Sequence, residues 1–248
     1  MLTLHHFDST IEIRCVGGFS VSIAGSRVPL EGKRAGDLLK ALVALGGRDV
    51  SGRRLTDAVW PDAEGDAGRR SLDTTLHRLR RLLGNRAITL LGGRLGLNPA
   101  LCWVDAWEIE QTLGQDRSAL DPGSTERLLA LYRGQFLPDS DAGGATVSYR
   151  TRLHEQVLGY LTRVGAEVEQ RGHWQEGILA YQRALLVDDT HEPFYQGLIR
   201  CYGELGRCAE FARALTRAEA VLSAKWGSGP SRQTLRIAAH YHEQARSA

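Results

Sequence analysis

The chain has 248 residues, 42% of them hydrophobic, and its 31 lysines and arginines against 29 aspartates and glutamates leave a formal net charge of +2. This length predicts two domains, and so small a net charge argues neither for nor against nucleic acid as a partner. Four scattered cysteines argue against a disulfide framework or a zinc site. Because no apolar run could span a membrane and no signal-peptide pattern opens the chain, we expect a cytoplasmic protein.

The first predicted elements are short strands followed by two helices. Residues 11–30 alternate in hydrophobicity with a period of two and are interrupted by glycine pairs, which predicts a short antiparallel meander. A broad apolar face over residues 34–45 predicts a helix that ends at two glycines. Ser51 is predicted to cap a second helix, which runs to Trp60 and ends before a proline.

The next stretch, residues 66–84, predicts a helix with two faces of opposite chemistry. Leucines spaced at i, i+4, i+7 and i+11 form one apolar stripe that requires burial: Leu72, Leu76, Leu79 and Leu83. The opposite face carries donors that suit guanine edges and phosphates: Arg70, Thr74, His77 and Arg81, with Arg78 on its flank. Residues 67–94 hold seven arginines against one acid, Asp73. The pattern predicts a DNA-reading helix, with a merely solvated basic surface as the alternative.

A two-stranded hairpin is predicted to follow this helix. Residues 88–91 and 94–97 read as strands on either side of Gly92-Gly93. Strands, three helices and a terminal hairpin are the components of a winged helix-turn-helix.

The second half of the chain predicts helices. A helix is predicted over residues 125–132, and Trp103 and Trp107 are expected to pack the first helix of this half against its neighbours. Helical signal then runs from residue 147 to 246 with four breaks. Aligning Gly172 with Gly206 gives an offset of 34 residues, the period of tetratricopeptide repeats. This offset predicts stacked helix pairs, with an unrelated helical bundle as the alternative.

Five segments carry a resemblance to a known family. Residues 11–98 resemble the OmpR-type winged helix in a basic helix end and a glycine-containing wing: Arg78-Leu-Arg-Arg-Leu82 and Thr89-Leu-Leu-Gly-Gly93. Three more segments narrow the resemblance: Leu38-Leu-Lys-Ala-Leu-Val-Ala-Leu45, Arg54-Leu-Thr-Asp-Ala-Val-Trp60 and Tyr132-Arg-Gly-Gln-Phe-Leu-Pro-Asp139. Together they are similar to the antibiotic regulatory protein (SARP) type, a winged helix followed by a bacterial transcriptional activator domain (BTAD).

The resemblance spans nearly the whole chain and implies both fold and site residues. It implies a mainly α fold with a small β component: a winged helix-turn-helix at 1–98 and a tetratricopeptide-like helical-repeat domain at 99–248. The resemblance places four residues at base-approaching positions: Arg70, Thr74, His77 and Arg78. The donor face of the helix adds Arg81 to this set. The resemblance implies a phosphate contact for Arg80, and we add Arg53 and Arg54 on phosphates.

The wing and the acidic loop also have implied roles. The family's wing often carries an arginine just before its first turn glycine, where this chain has Leu91, and Arg94 across the turn is a candidate substitute that would reach phosphate. The acidic loop before the arginine-faced helix is implied to touch the transcription machinery, through Asp62, Glu64 and Asp66.

The sequence therefore predicts a sequence-specific DNA-binding transcriptional activator. We expect it to bind tandemly repeated promoter sites, as a homodimer at least on DNA, and to contact RNA polymerase. Nucleotide, esterase and metalloprotease signatures are missing, and His240 and His242 point apart on a helix, so we predict no enzyme activity, no cofactor and no metal. The alternative is a helical-repeat interaction scaffold whose winged helix binds protein rather than DNA.

Overall fold

The computed structural model describes residues 11–30, 32–63, 65–114, 122–140 and 143–247. These residues form two compact units. The first unit holds the described residues up to Thr112 and those from Leu131 to His154, and the second holds those of Leu113–Ala130 and from Glu155 onward. The predicted domains, residues 1–98 and 99–248, were drawn from the family resemblance and differ from these two units in their boundaries. They stay a prediction. Among the described helices, none is long and apolar enough to cross a membrane.

The described elements up to residue 114 alternate short strands with helices. In chain order they are β1 (Ile11–Arg14), β2 (Ser20–Ile23), β3 (Ser26–Arg27), α1 (Lys33–Ala44), β4 (Val50–Ser51), α2 (Gly52–Val59), α3 (Asp66–Leu83), β5 (Ile88–Leu91), β6 (Arg94–Leu97), β7 (Cys102–Val104) and α4 (Asp105–Gly114). The rest is helical: α5 (Pro122–Leu131), α6 (Gly143–Gln170), α7 (Trp174–Val187), α8 (Glu192–Glu204), α9 (Cys208–Trp226) and α10 (Arg232–Ser247). The predicted fold class, mainly α with a small β component, is confirmed.

The first sheet contains the predicted meander and one strand that the sequence did not predict. Its strand order is β3-β2-β1-β7, with β1 and β2 antiparallel and Ile13 paired with Val21 on a buried face. β7 pairs with β1 in parallel, Ile11 lying opposite Cys102. Trp103, which was expected to pack the first helix of the second half against its neighbours, instead lies in β7, where Cys102 and Val104 are buried at strand spacing beside β1.

Asp105, at the start of α4, fixes this sheet to the helix that follows. Its buried carboxylate accepts hydrogen bonds from the backbone N–H groups of Cys15 (2.9 Å), Val16 (3.0 Å) and Ala106 (2.8 Å). Burial raises the pKa of Asp105 to about 6, although the three N–H donors and Arg14 act in the opposite direction. Trp107, two residues on, lies against Gly47 and beneath the Arg48 guanidinium, so it too packs within the first unit.

The predicted Tyr132–Asp139 segment packs within the first unit as well. The Leu137 amide donates to the Cys15 carbonyl oxygen at 2.7 Å, and Phe136 is fully buried. The Arg150 guanidinium donates to the carbonyl oxygens of Phe136, at 2.7 Å, and of Leu137. These backbone contacts place the segment beside β1 rather than among the helical repeats.

The second unit shows the predicted repeat in its helix starts and turns. α7 and α9 begin 34 residues apart, at Trp174 and Cys208. The glycines that precede them, Gly172 and Gly206, have left-handed φ values of 73° and 64°, a conformation that favours glycine. Ala184 and the equivalent Ala218 are buried, as close helix packing requires. The tetratricopeptide-like prediction is therefore confirmed.

Candidate nucleic-acid interface

α3 has the two predicted faces. The four leucines spaced along the apolar stripe are buried, none more than 6% exposed: Leu72, Leu76, Leu79 and Leu83. All five base-reading candidates are exposed on the remaining surface: Arg70, Thr74, His77, Arg78 and Arg81. Burying one stripe against α1 and α2 thus aims a continuous row of donors at solvent.

The close approach of α2 and α3 fixes the direction of this row. Gly68 is buried in the first turn of α3, and a Cβ atom there would overlap the Thr56 side chain of α2. α2 itself begins where expected, since the Ser51 hydroxyl accepts a hydrogen bond from the Arg54 amide at 3.3 Å. The close packing of α3 against α2 thus sets the direction in which the donor row faces.

Local bonds divide the five exposed candidates into two groups. The Thr74 hydroxyl donates to the Arg70 carbonyl oxygen at 2.9 Å, and Arg70 Nε donates to the Asp66 carbonyl oxygen at 3.3 Å. Across the part of the chain that the structure describes, His77, Arg78 and Arg81 make no such bonds. The donors of these three side chains are thus available to a ligand without first breaking a contact within the protein.

The hairpin after α3 forms a wing with an apolar tip. Leu91 pairs with Arg94 across Gly92 and Gly93, whose φ values of 56° and 75° match the two-residue turn expected there. β4 adds a third strand by pairing Ser51 with Arg94. Leu91, which stands where the family often has arginine, is 85% exposed, so the tip offers hydrocarbon rather than a cation.

Two of the four phosphate candidates are engaged within the winged helix. Arg80 Nη2 donates to the Ile88 carbonyl oxygen at 3.1 Å, which joins α3 to β5. Arg94 Nε lies 2.6 Å from an Asp49 carboxylate oxygen and also donates to the Asp49 carbonyl oxygen. Neither contact is apparent from the sequence. For Arg80 one signal was present, because it follows Leu76 by four residues and so borders the apolar stripe.

The other phosphate candidates and the acidic residues lie on open surface. Arg53 and Arg54 are exposed in the first turn of α2. Asp62 and Asp66 are exposed on either side of residue 64, whereas Glu64 lies outside the described residues. Within the described ranges no cluster of histidine, cysteine, aspartate or glutamate could hold a metal ion.

Comparison with known proteins places the chain in a family. The model of the bacterial transcriptional activator domain matches residues 104–240, more than half of the chain. No curated protein matches the sequence. A solved structure of Mycobacterium tuberculosis EmbR in complex with a low-affinity phosphopeptide is similar in fold, with a TM-score of 0.70 and 19% sequence identity. The match covers 95% of this chain and 65% of the EmbR chain, so this chain spans less than two thirds of the length of EmbR. The chain belongs to the bacterial transcriptional activator domain family, the family that its resemblance to the SARP type predicted for the second half.

Proposed function

We propose that this regulator binds promoter DNA in a sequence-specific manner through α3 and activates transcription from there. The observation that carries the proposal is the exposed donor row of α3, opposite a buried leucine stripe and beside a wing. A helix of this width fits the major groove, where arginine and histidine donors meet the O6 and N7 acceptors of guanine. In domain terms, residues 1–98 would bind DNA and residues 99–248 would carry the activator function.

Base recognition is assigned chiefly to the side chains whose donors are free. His77, Arg78 and Arg81 meet this condition among the described residues. Arg70 and Thr74 remain in the proposed set, with the guanidinium nitrogens and the threonine methyl group as their available contacts. Arg53 and Arg54 suit phosphate oxygens because they project from the first turn of α2, where helix N–H groups also favour an anion.

Arg80 and Arg94 fit a supporting role better than a direct phosphate contact. Each already donates to a backbone carbonyl oxygen of the winged helix. Transferring the guanidinium to phosphate would leave Ile88 or Asp49 without its partner, which offsets part of the gain. Their proposed contribution is to hold β5 and β6 in place beside α3.

The remaining parts of the proposal concern partners. A winged helix covers few base pairs, so we assign the protein a pair of tandem half-sites occupied by two copies of the chain. Asp62, Glu64 and Asp66 would repel phosphates and are assigned to RNA polymerase instead. The match to EmbR supports the fold that this arrangement needs.

The direct test is DNA selection followed by binding titrations. DNA fragments bound by the full chain are selected from a random pool, and the affinity for the enriched site is measured by fluorescence anisotropy. Arg78→Ala and Arg81→Ala should each weaken specific binding by about 1–3 kcal/mol if they contact bases, with a smaller loss if they meet phosphates. Arg236→Ala, which removes an exposed arginine from α10, is the matched control.

A protein-binding role for the winged helix is the second candidate, favoured by the exposed Leu90 and Leu91 at the wing tip. The salt dependence of DNA binding distinguishes the DNA-binding role from the protein-binding role. Phosphate neutralisation releases counterions, so the logarithm of DNA affinity should fall steeply with the logarithm of salt concentration. Unaltered DNA affinity for both α3 variants, or failure to enrich any site, would favour the scaffold instead.

A further inference from the structure

A groove of about 650 Å³ lies on the second unit, bounded by α7 and α9 with residues of α8 at its base. It belongs to the helical repeats. The groove is open to solvent, so it suits a segment of protein chain better than an enclosed small molecule. Its two walls differ in chemistry.

The α7 wall is apolar and unusually exposed. Leu186 is 85% exposed and Leu179 is 55% exposed, and their spacing of seven residues puts them on one side of the helix. Leu185, between them in sequence, is buried and continues the hydrocarbon surface into the groove. Paired exposed leucines on one helix face are typical of a surface that another apolar stripe covers.

The α9 wall and its surroundings are basic. Arg213 and Arg217 are exposed one turn apart, and Glu210 lies 3.9 Å from Arg213. Arg183 on α7 is paired with Glu126. No carboxylate of the described chain pairs with Arg217.

Tyr195 adds a polar group at the base of the groove. Its side chain is fully buried, and the Arg217 side chain lies close enough to act on its hydroxyl. Burial raises the pKa of this hydroxyl, as do Asp188 and Asp189, whereas the nearby Arg217 lowers it.

We propose that this groove binds an amphipathic helix of a partner protein, one that carries acidic side chains beside an aliphatic stripe. The stripe would cover Leu179 and Leu186, and the acidic residues would face Arg213 and Arg217, the usual geometry of a helix bound in a groove. The two exposed arginines, Arg213 and Arg217, favour a partner with acidic side chains. The inference does not depend on DNA binding.

The test uses the full chain and a defined probe. The probe is a fluorescein-labelled synthetic peptide with leucines at i, i+4, i+7 and i+11 and glutamates on the flanks of that stripe. Two control peptides keep its length: one scrambles the same residues, and the other replaces the glutamates with lysines. Fluorescence anisotropy should show saturable binding of this probe and of neither control peptide. Hydrogen exchange of the protein with bound probe should show protection confined to α7, α8 and α9.

Groove variants then identify the contacts. Leu186→Asp should weaken probe binding by about tenfold or more, because it places a charge where the stripe packs. Arg213→Glu with Arg217→Glu should weaken the acidic probe and allow the lysine peptide to bind. All three positions are exposed, so folding should be preserved, as circular dichroism would verify. Leu235→Asp and Arg236→Glu on α10 are matched controls that should leave binding unchanged.

Four outcomes would overturn the proposal. Equal affinity for the probe and the scrambled peptide would show that the surface has no preference for an amphipathic helix. Probe binding that persists in both groove variants, or that is lost equally in the α10 controls, would place the contact elsewhere. A dimer seen by sedimentation and abolished by Leu186→Asp would assign the groove to a second copy of the chain.

Discussion

Replacing Asp105 with alanine tests how the first unit is held together. The change removes the shared acceptor of three buried N–H groups, those of Cys15, Val16 and Ala106. Leaving each without a partner costs about 1–3 kcal/mol. Ionising a buried carboxylate whose pKa is raised from 3.8 to about 6 costs about 3 kcal/mol at neutral pH, which the alanine variant recovers. We expect a net loss of about 3 kcal/mol in the free energy of unfolding, the middle of a range that runs from about 0 to 6 kcal/mol.

Two measurements check this value. Urea titrations at neutral pH give the change in the free energy of unfolding, and native-state hydrogen exchange follows the amides of Cys15 and Val16 directly. Both amides should exchange at least about tenfold faster in Asp105→Ala. A variant whose free energy of unfolding lies within about 0.5 kcal/mol of that of the parent chain, and whose two amides exchange at unaltered rates, would refute the assigned role of the carboxylate.

The same carboxylate predicts a pH dependence with a definite sign. Because the pKa of Asp105 is raised in the folded state, the folded chain binds more protons than the unfolded chain between about pH 4 and 6. The stability that Asp105 contributes is therefore complete below pH 4 and is lost as the pH rises through 6. The side chain in Asp105→Asn cannot titrate. The difference in the free energy of unfolding between this variant and the parent chain should therefore change by about 3 kcal/mol across this pH window. A constant difference would contradict the raised pKa.

The remaining predictions concern the proposed DNA complex. Leu91→Arg adds a cation at the exposed wing tip, so it should raise DNA affinity and steepen the salt dependence by about one counterion, as titrations at several salt concentrations would show. Asp62→Ala with Glu64→Ala should leave promoter affinity nearly unchanged and lower in vitro transcription; lost affinity without a separate transcription defect would contradict it. Two half-sites spaced by about 10–11 bp should be occupied cooperatively in footprints, unlike a single half-site.

The elements that sequence predicted correctly are those with local signals. The leucine stripe of α3, the glycine pair at positions 92 and 93 and the 34-residue offset each depend on spacing within one element or one repeat. Each appears where predicted, since periodic burial and left-handed turns are decided by neighbouring residues. The exposure of the five α3 candidates follows from the same stripe.

The elements that sequence missed depend on contacts between distant residues. Cys102 pairs with Ile11, about ninety positions earlier, through backbone groups that leave little trace in side-chain pattern. The Arg80 and Arg94 contacts similarly end on carbonyl oxygens, which every residue possesses. An arginine that supports the wing and one that meets phosphate look alike in a sequence, and only the geometry of the fold separates them.

These distant contacts have a consequence for binding. Ser51 caps α2 with its side chain and pairs with Arg94 of the wing through its backbone. Arg80 joins α3 to β5. The wing, the start of α2 and the end of α3 are thus connected within the fold. In the proposed DNA complex the ordering cost would then fall mainly on exposed side chains such as His77, Arg78 and Arg81, which would leave more of the contact energy for discriminating between DNA sequences.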